Sequence, residues 1–332
     1  MNNKGMAITT VIYSIILLLS LCMFLALGIL RSEYTNDKQY ILDLREELND
    51  LLKGDEESYG VDKIIKQTGN KDNSGLYTIT HPADSTLQIG ATESITEYRY
   101  RGKVPKNYVT FNNEVWRIIG VFPVDDGNGN IENRIKLIRN ESIGDKFWDG
   151  SVSNNWARPA KINTELNTTY LNSLDSTSKS MIGNTKYYLG GYNNSLRIKK
   201  DVMYQYERKI SGSDYYNGSN SNNFIGKVAL MYASDYGYAA SDECTQTLVN
   251  YDNATCKNNN WLYNIKVSEW ILPQDASNSS SAFYVSSGGG VYRSDFYVTA
   301  DQFAVRPVLY LISSAKITGG DGTIGSPYTL GL

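Results

Sequence analysis

Tyr108-Val-Thr-Phe-Asn-Asn-Glu-Val-Trp-Arg-Ile-Ile-Gly-Val-Phe122 is the stretch from which the rest of the chain is read. Tyr108 to Phe111 and Glu114 to Phe122 are β-rich runs, and Asn112-Asn113 between them is a hairpin turn signal. A third run, Ile131 to Arg139, alternates: Ile135 and Leu137 are expected inward, Arg134 and Lys136 outward. Asp125-Asp-Gly-Asn-Gly-Asn130 joins the second run to the third and superficially resembles a calcium loop. Its register fails, because Ile131 stands where an EF-hand needs glycine. Asn-Gly between two strands is instead the signal of a hairpin.

Downstream the period changes. Ile162, Leu166, Tyr170, Leu171 and Leu174 have helical spacing, and Ser176 to Ile182 reads as a second short helix. Tyr187 to Gly191 has strand or turn character, and Asp201 to Asn223 reads as a long polar excursion. Lys227 to Tyr232 is a strand leading into Ser234-Asp-Tyr-Gly-Tyr238. Trp261, Leu262 and Trp270 to Leu272 are core candidates. Ala282 to Ser287 and Val291 to Ser294 flank Gly288-Gly-Gly290 as a hairpin. Val305 to Ile312 is a buried strand whose Pro307 calls for an edge or a bulge. The chain closes through a turn at Gly319 to Gly322. Strands, helices and strands in one domain make the fold class α+β.

Upstream, Tyr59 to Glu97 is a mixed connector in which nothing reads as chemistry. Before it, Met6 to Leu30 carries no charge. At ~1.5 Å per residue a helix of that length would exceed a ~30 Å hydrocarbon core, so a single transmembrane helix is expected. Lys4 and the amino terminus before it place the amino end inside and the bulk of the chain outside. Ile41, Leu44, Leu48 and Leu51 continue as a narrow apolar stripe. It packs either on the chain's own domain or on neighbouring helices.

Composition narrows the chemistry. A net charge of -3 gives no basic patch for nucleic acid. The single histidine, His81, argues against most zinc hydrolase sites and Ser-His-Asp triads, and beside Pro82 it reads as a bystander. Of three cysteines, Cys22 lies in the apolar run. Cys244 and Cys256 are expected to pair, closing a short loop worth ~3 kcal/mol in the chain-entropy model. No cofactor or metal is implied. Glu141, Asp145 and Asp149 read as scattered, solvated loop acids.

Two resemblances follow from these residues. Asn3-Lys-Gly-Met6 ahead of the apolar run resembles the class III signal of type IV pilins and pseudopilins, cut between Gly5 and Met6. Thr10 stands where most pilins carry glutamate, so an uncleaved signal anchor remains the other reading. From about Tyr98 onward the chain resembles a family of uncharacterised bacterial surface domains. The match is carried by Tyr108–Phe122, Ile138–Gly144, Lys227–Tyr232 with Ser234–Tyr238, and Val305–Leu311. The late tryptophans, Gly-rich hairpin and VRPV strand are also similar to the C-type lectin-like fold, shared with formylglycine-generating enzymes. Neither the sugar-binding calcium motifs nor the late reactive cysteines of those relatives occur here. Trp116, Trp261, Trp270 and Arg306 therefore read as fold markers.

These resemblances imply residues 1–53 as leader, transmembrane and stalk helix, 54–97 as linker, and 98–332 as a lectin-like extracellular domain. The expected protein is a membrane-anchored bacterial surface protein, a minor pilin-like subunit or adhesin with a non-enzymatic recognition domain. The alternatives are an ectoenzyme on the same fold and a structural pseudopilin of a secretion or DNA-uptake system. Its expected partners are the membrane, other pilin-like subunits, and an unknown glycan or protein. The candidate binding patch is Tyr284, Tyr292, Arg293, Asp295, Phe296 and Tyr297. Tyrosine-rich loops make rigid, adaptable contact surfaces.

Overall fold

The computed structural model describes residues 13–25, 27, 31, 34–35, 37–44, 59–69, 74–263, 267–294 and 298–332. The chain divides into two compact units, Met1–Glu57 and Ser58–Leu332. In the first, the longest unbroken run of described helix covers residues 13–25. No helix among the described residues is long and apolar enough to cross a membrane. The expected long transmembrane helix and the single-pass membrane localisation are corrected accordingly. Gly5, Met6, Leu48 and Leu51 lie outside the described residues, while Ile41, Leu44 and the free Cys22 are exposed.

The second unit begins before the expected domain start. A helix at Gly60–Ile65 buries Val61 and Ile64, and β1 (Gly75–His81) pairs along its whole length with β2 (Ile95–Arg101). The stretch read as a connector is thus woven into the sheet. β3 (Tyr108–Phe111) and β4 (Glu114–Asp125) form the expected hairpin, with Asn112 and Asn113 at φ 53° and 58°. Two successive left-handed residues match the right-handed twist of the flanking strands, which is why asparagine occupies the turn. β5 (Ile131–Arg139) returns along β4. At that turn Asp125 accepts hydrogen bonds from the Gly127 and Gly129 amides, and Asp126 from those of Asn128 and Asn130. The acids cap a turn there.

β6 (Asp145–Phe147), β7 (Thr185–Tyr188), β8 (Asn223–Gly226) and β9 (Val228–Ala229) come next. They are followed by β10 (Glu269–Gln274), β11 (Ala282–Val285), β12 (Val291–Arg293), β13 (Gln302–Ala304) and β14 (Val308–Tyr310). β15 (Lys316–Gly319) and β16 (Thr329–Gly331) close the unit as a two-stranded ribbon. Among the described residues the main sheet has the order β1-β2-β4-β5-β14-β9, with β3 beside β4. A second, five-stranded sheet runs β12-β11-β10-β13-β6. β14 sits inside the main sheet rather than at an edge, and Pro307 is tolerated because the strand starts one residue after it.

The expected helices appear at Lys161–Glu165, Leu166–Tyr170 (a π turn), Leu171–Ser173 and Ser176–Ser180. Besides the short helical turns Leu248–Asn250 and Ala254–Lys257, two longer helices were not expected. Lys200–Glu207 replaces the first part of the polar excursion and buries Met203, Tyr204 and Glu207. Ala233–Ala239 is buried at every position. Trp116, Trp148, Trp156 and Trp270 lie fully inside, and one continuous core joins the two large sheets to these helices.

Candidate functional site

The hairpin Ala282–Val285/Val291–Arg293 puts Tyr284 directly opposite Tyr292, and on its other side opposite Trp270. Side chains of paired residues share a face, so three rings form a row from the sheet edge inward. The Tyr284 and Tyr292 centroids are 6.3 Å apart. Phe303 of β13 packs 4.4 Å from Tyr284 and 4.6 Å from Trp270. Trp270 is fully buried and donates its indole N–H to the Lys146 carbonyl at 2.8 Å. Tyr284, Tyr292 and Phe303 are half-buried. Burial and the nearby Asp252 carboxylate both push the Tyr292 phenol up from its usual pKa. The triglycine turn is pinned from below, where the buried Tyr236 hydroxyl donates to the Gly289 carbonyl at 2.8 Å.

Of the other members of the expected patch, Arg293 alone is among the described residues. Arg293 follows Tyr292 in the strand and so projects to the opposite face, where Asp275 lies 3.5 Å away. Asp295, Phe296 and Tyr297 lie outside the described residues. The aromatic edge is therefore Tyr284 and Tyr292 with Phe303 beside them, and Trp270 as its buried backing.

A second concentration of chemistry lies between the main sheet and the two unexpected helices. Arg99, Gly120, Lys136 and Tyr310 are register partners across β2, β4, β5 and β14. Gly120 has no side chain, so the two cations beside it both reach Asp235 of helix Ala233–Ala239. Arg99 Nη1 lies 2.8 Å from Asp235 Oδ1, and Lys136 Nζ lies 2.5 Å from Oδ2. Asp235 Oδ2 also accepts from the Tyr232 amide at 2.9 Å, capping its own helix. Lys136 is wholly buried and Arg134 nearly so, which corrects the expected outward placement of both.

Glu97 pairs with Arg99, and Glu207 with Arg208. Glu207, at the end of one helix, accepts from the amide and hydroxyl of Ser234 at the start of the other. His81, expected to be a bystander, stacks on Tyr204 with centroids 3.5 Å apart and meets Glu97 Oε2 at 3.3 Å. Arg99, Lys136 and Arg208 thus balance Glu97, Glu207 and Asp235, and neutral His81 keeps the cluster balanced. Phe122, Tyr232 and Tyr310 supply ring faces to Lys136 at 4.4 to 5.4 Å.

The protonation states follow. Burial alone would raise Glu97 and Asp235, but Arg99 beside the first, and Lys136 and Arg99 beside the second, hold both carboxyls low. Burial wins at Glu207 and raises it. Lys136 is brought down by burial to about 8, partly opposed by Asp235. His81 is lowered by burial against the pull of Glu97. Shifts of this kind often mark catalytic groups. Here the void lined by Glu97, Tyr204 and Arg208 is about 10 Å³, at most the space of one water. Their ion pairs join the sheet to the two helices.

Cys244 and Cys256 form the expected disulfide, both sulfurs buried, at a Cα separation of 4.7 Å. Asp149 is buried rather than solvated. It accepts from the Gly150 and Lys161 amides and from Ser151 Oγ, and pairs with Arg158. Trp116, Trp261 and Trp270 are buried, and Arg306 makes a two-pronged ion pair with Glu269 at 2.8 and 2.7 Å. No family model, curated protein or solved structure matches this chain.

Proposed function

We propose that the chain is a non-enzymatic recognition module that holds a glycan on the aromatic edge of its five-stranded sheet. The observation that carries this reading is the cross-strand pair Tyr284 and Tyr292, half-exposed and locked by Phe303 and Trp270. Rings fixed by packing lose little entropy on binding, and their faces offer stacking surfaces to a sugar ring. Among the described residues, β12 is an edge strand of that sheet. The burial of Glu97, Lys136, Glu207 and Asp235 between sheet and helices favours recognition over catalysis at the ionic cluster.

The test is a glycan-array screen of the full chain, repeated with Tyr284→Ala/Tyr292→Ala. At least one glycan class should bind the parent and lose most of its signal with the variant, while the thermal melt keeps its cooperativity. A parent that binds no glycan, or a variant that binds as well as the parent, would sink the reading. Capture of a folded protein that depends on the same two tyrosines would move the site from sugars to a protein partner.

A further inference from the structure

Glu97, Tyr188, Tyr204 and Arg208 line the void of about 10 Å³ beside the ionic cluster, and its whole lining is among the described residues. Most of that lining comes from β2, β4, β7, β14 and the end of helix Lys200–Glu207. Two of the side chains carry a polar atom with no protein partner. The Tyr188 hydroxyl and Arg208 Nε are shut off from solvent, and neither makes a hydrogen bond among the described residues. The residues themselves are 7% and 4% exposed.

Neither side chain is free to turn elsewhere. Arg208 Nη1 donates to the Tyr204 carbonyl and to Glu207 Oε2, each at 3.0 Å, and the guanidinium lies 3.6 Å from the Tyr204 ring centroid. The Tyr188 amide donates to the Tyr232 hydroxyl at 2.8 Å, which anchors its backbone. Both unpartnered atoms are donors. An arginine Nε–H has no acceptor capacity and is not lost in a protein. Burial raises the Tyr188 phenol above its usual pKa, so it keeps its proton. Buried donors without an acceptor are destabilising, and ordered water commonly supplies the acceptor in native folds. A space of ~10–15 Å³ holds one water, and volume excludes anything larger. A small anion would add charge to a cluster whose three cations and three acids already balance.

We infer that this void is the binding site of a single water molecule, which accepts from Arg208 Nε–H and from the Tyr188 hydroxyl. It ties the end of helix Lys200–Glu207 to β7. Glu97 and Tyr204 on the same walls offer oxygens to its own protons, which gives it the ~2–4 polar partners that a buried water needs. The inference is independent of the aromatic edge.

Two measurements on the full chain test it. In nuclear magnetic resonance, the Arg208 Nε proton should show an Overhauser cross-peak to water. In Tyr188→Phe that cross-peak should remain, because Arg208 still holds the molecule and no phenol proton is left to relay the signal. The second measurement reads a sign. In a dry void, Tyr188→Phe removes an unsatisfied hydroxyl and raises the urea midpoint. With water bound it removes a hydrogen bond, and the ratio of folded to unfolded chain should fall about fivefold. The change deletes one atom and adds none, so the fold tolerates it. A parent without the cross-peak, its loss in the variant, or a variant midpoint at or above the parent's would each overturn the assignment.

Discussion

Asp235 shows how much one buried side chain can organise. It neutralises Arg99 and Lys136 from two strands and caps its own helix, all out of contact with water. Removing its charge leaves two buried cations short of a partner, a loss that typically costs ~3–5 kcal/mol. Asp235→Asn should lower unfolding stability by about that amount, read from urea denaturation, with the far-ultraviolet circular dichroism of the remaining folded fraction preserved. His81 adds a pH dependence. Glu97, Arg99, Arg208, Tyr204 and Tyr238 surround it, and burial lowers its pKa below the usual 6.5. As pH falls below about 6.5, the unfolded chain takes up the proton first while folded His81 still resists it. Stability is therefore full above that pH and declines as pH drops toward the folded value. His81→Gln should flatten the decline between pH 7 and pH 5, and denaturation curves at several pH values check it. Neither residue announced itself. Asp235 sat in a run that read as a path to the disulfide, and His81 in one that read as a connector, because ion pairing across 136 residues of sequence leaves no local pattern.

At the scale of elements, the hairpins were the legible part. Asn112-Asn113 and the Asn-Gly turn before β5 have local causes, in left-handed backbone and side-chain capping, so their sequence signals sufficed. The helices Lys200–Glu207 and Ala233–Ala239 were not legible, because they bury Tyr204, Glu207, Ser234 and Asp235 among opposing charges, and polar residues read as surface. Lys136 was misplaced for the same reason. Gly120 is the backbone device that lets these elements meet. A Cβ there would lie 2.0 Å from the Tyr98 carbonyl oxygen, at the irregularity where β4 pairs with both β2 and β5. Gly120→Ala should cost about 1–3 kcal/mol through overpacking, measured as a lowered denaturation midpoint. A midpoint equal to the parent's would mean that the β2–β4 contact is looser than these distances require.

Over the whole molecule, the Cys244–Cys256 bridge closes a loop with a sequence separation of 12 and lies inside the core. Cys244→Ser/Cys256→Ser should lower stability by about 3 kcal/mol in the chain-entropy model, read from the urea midpoint under non-reducing conditions. By itself the amino-acid sequence determined what depends on neighbours along the chain. That includes the β3–β4 and β4–β5 hairpins, the short helices after Ala160, the triglycine hairpin, the buried tryptophans and the cysteine pair. It also grouped Tyr284, Tyr292 and Arg293 into one patch, whereas the strand register puts Arg293 on the opposite face. The apolar run Met6–Leu30 suggested a membrane span, and no helix among the described residues is long and apolar enough to make one. Tertiary structure alone decided the rest: the place of β1 in the main sheet, the entry of β14 into its interior, the balanced ionic cluster and the water-sized void beside it. Each of these brings together residues far apart in sequence, and charge compensation inside a fold depends on distance in space, which no local periodicity encodes.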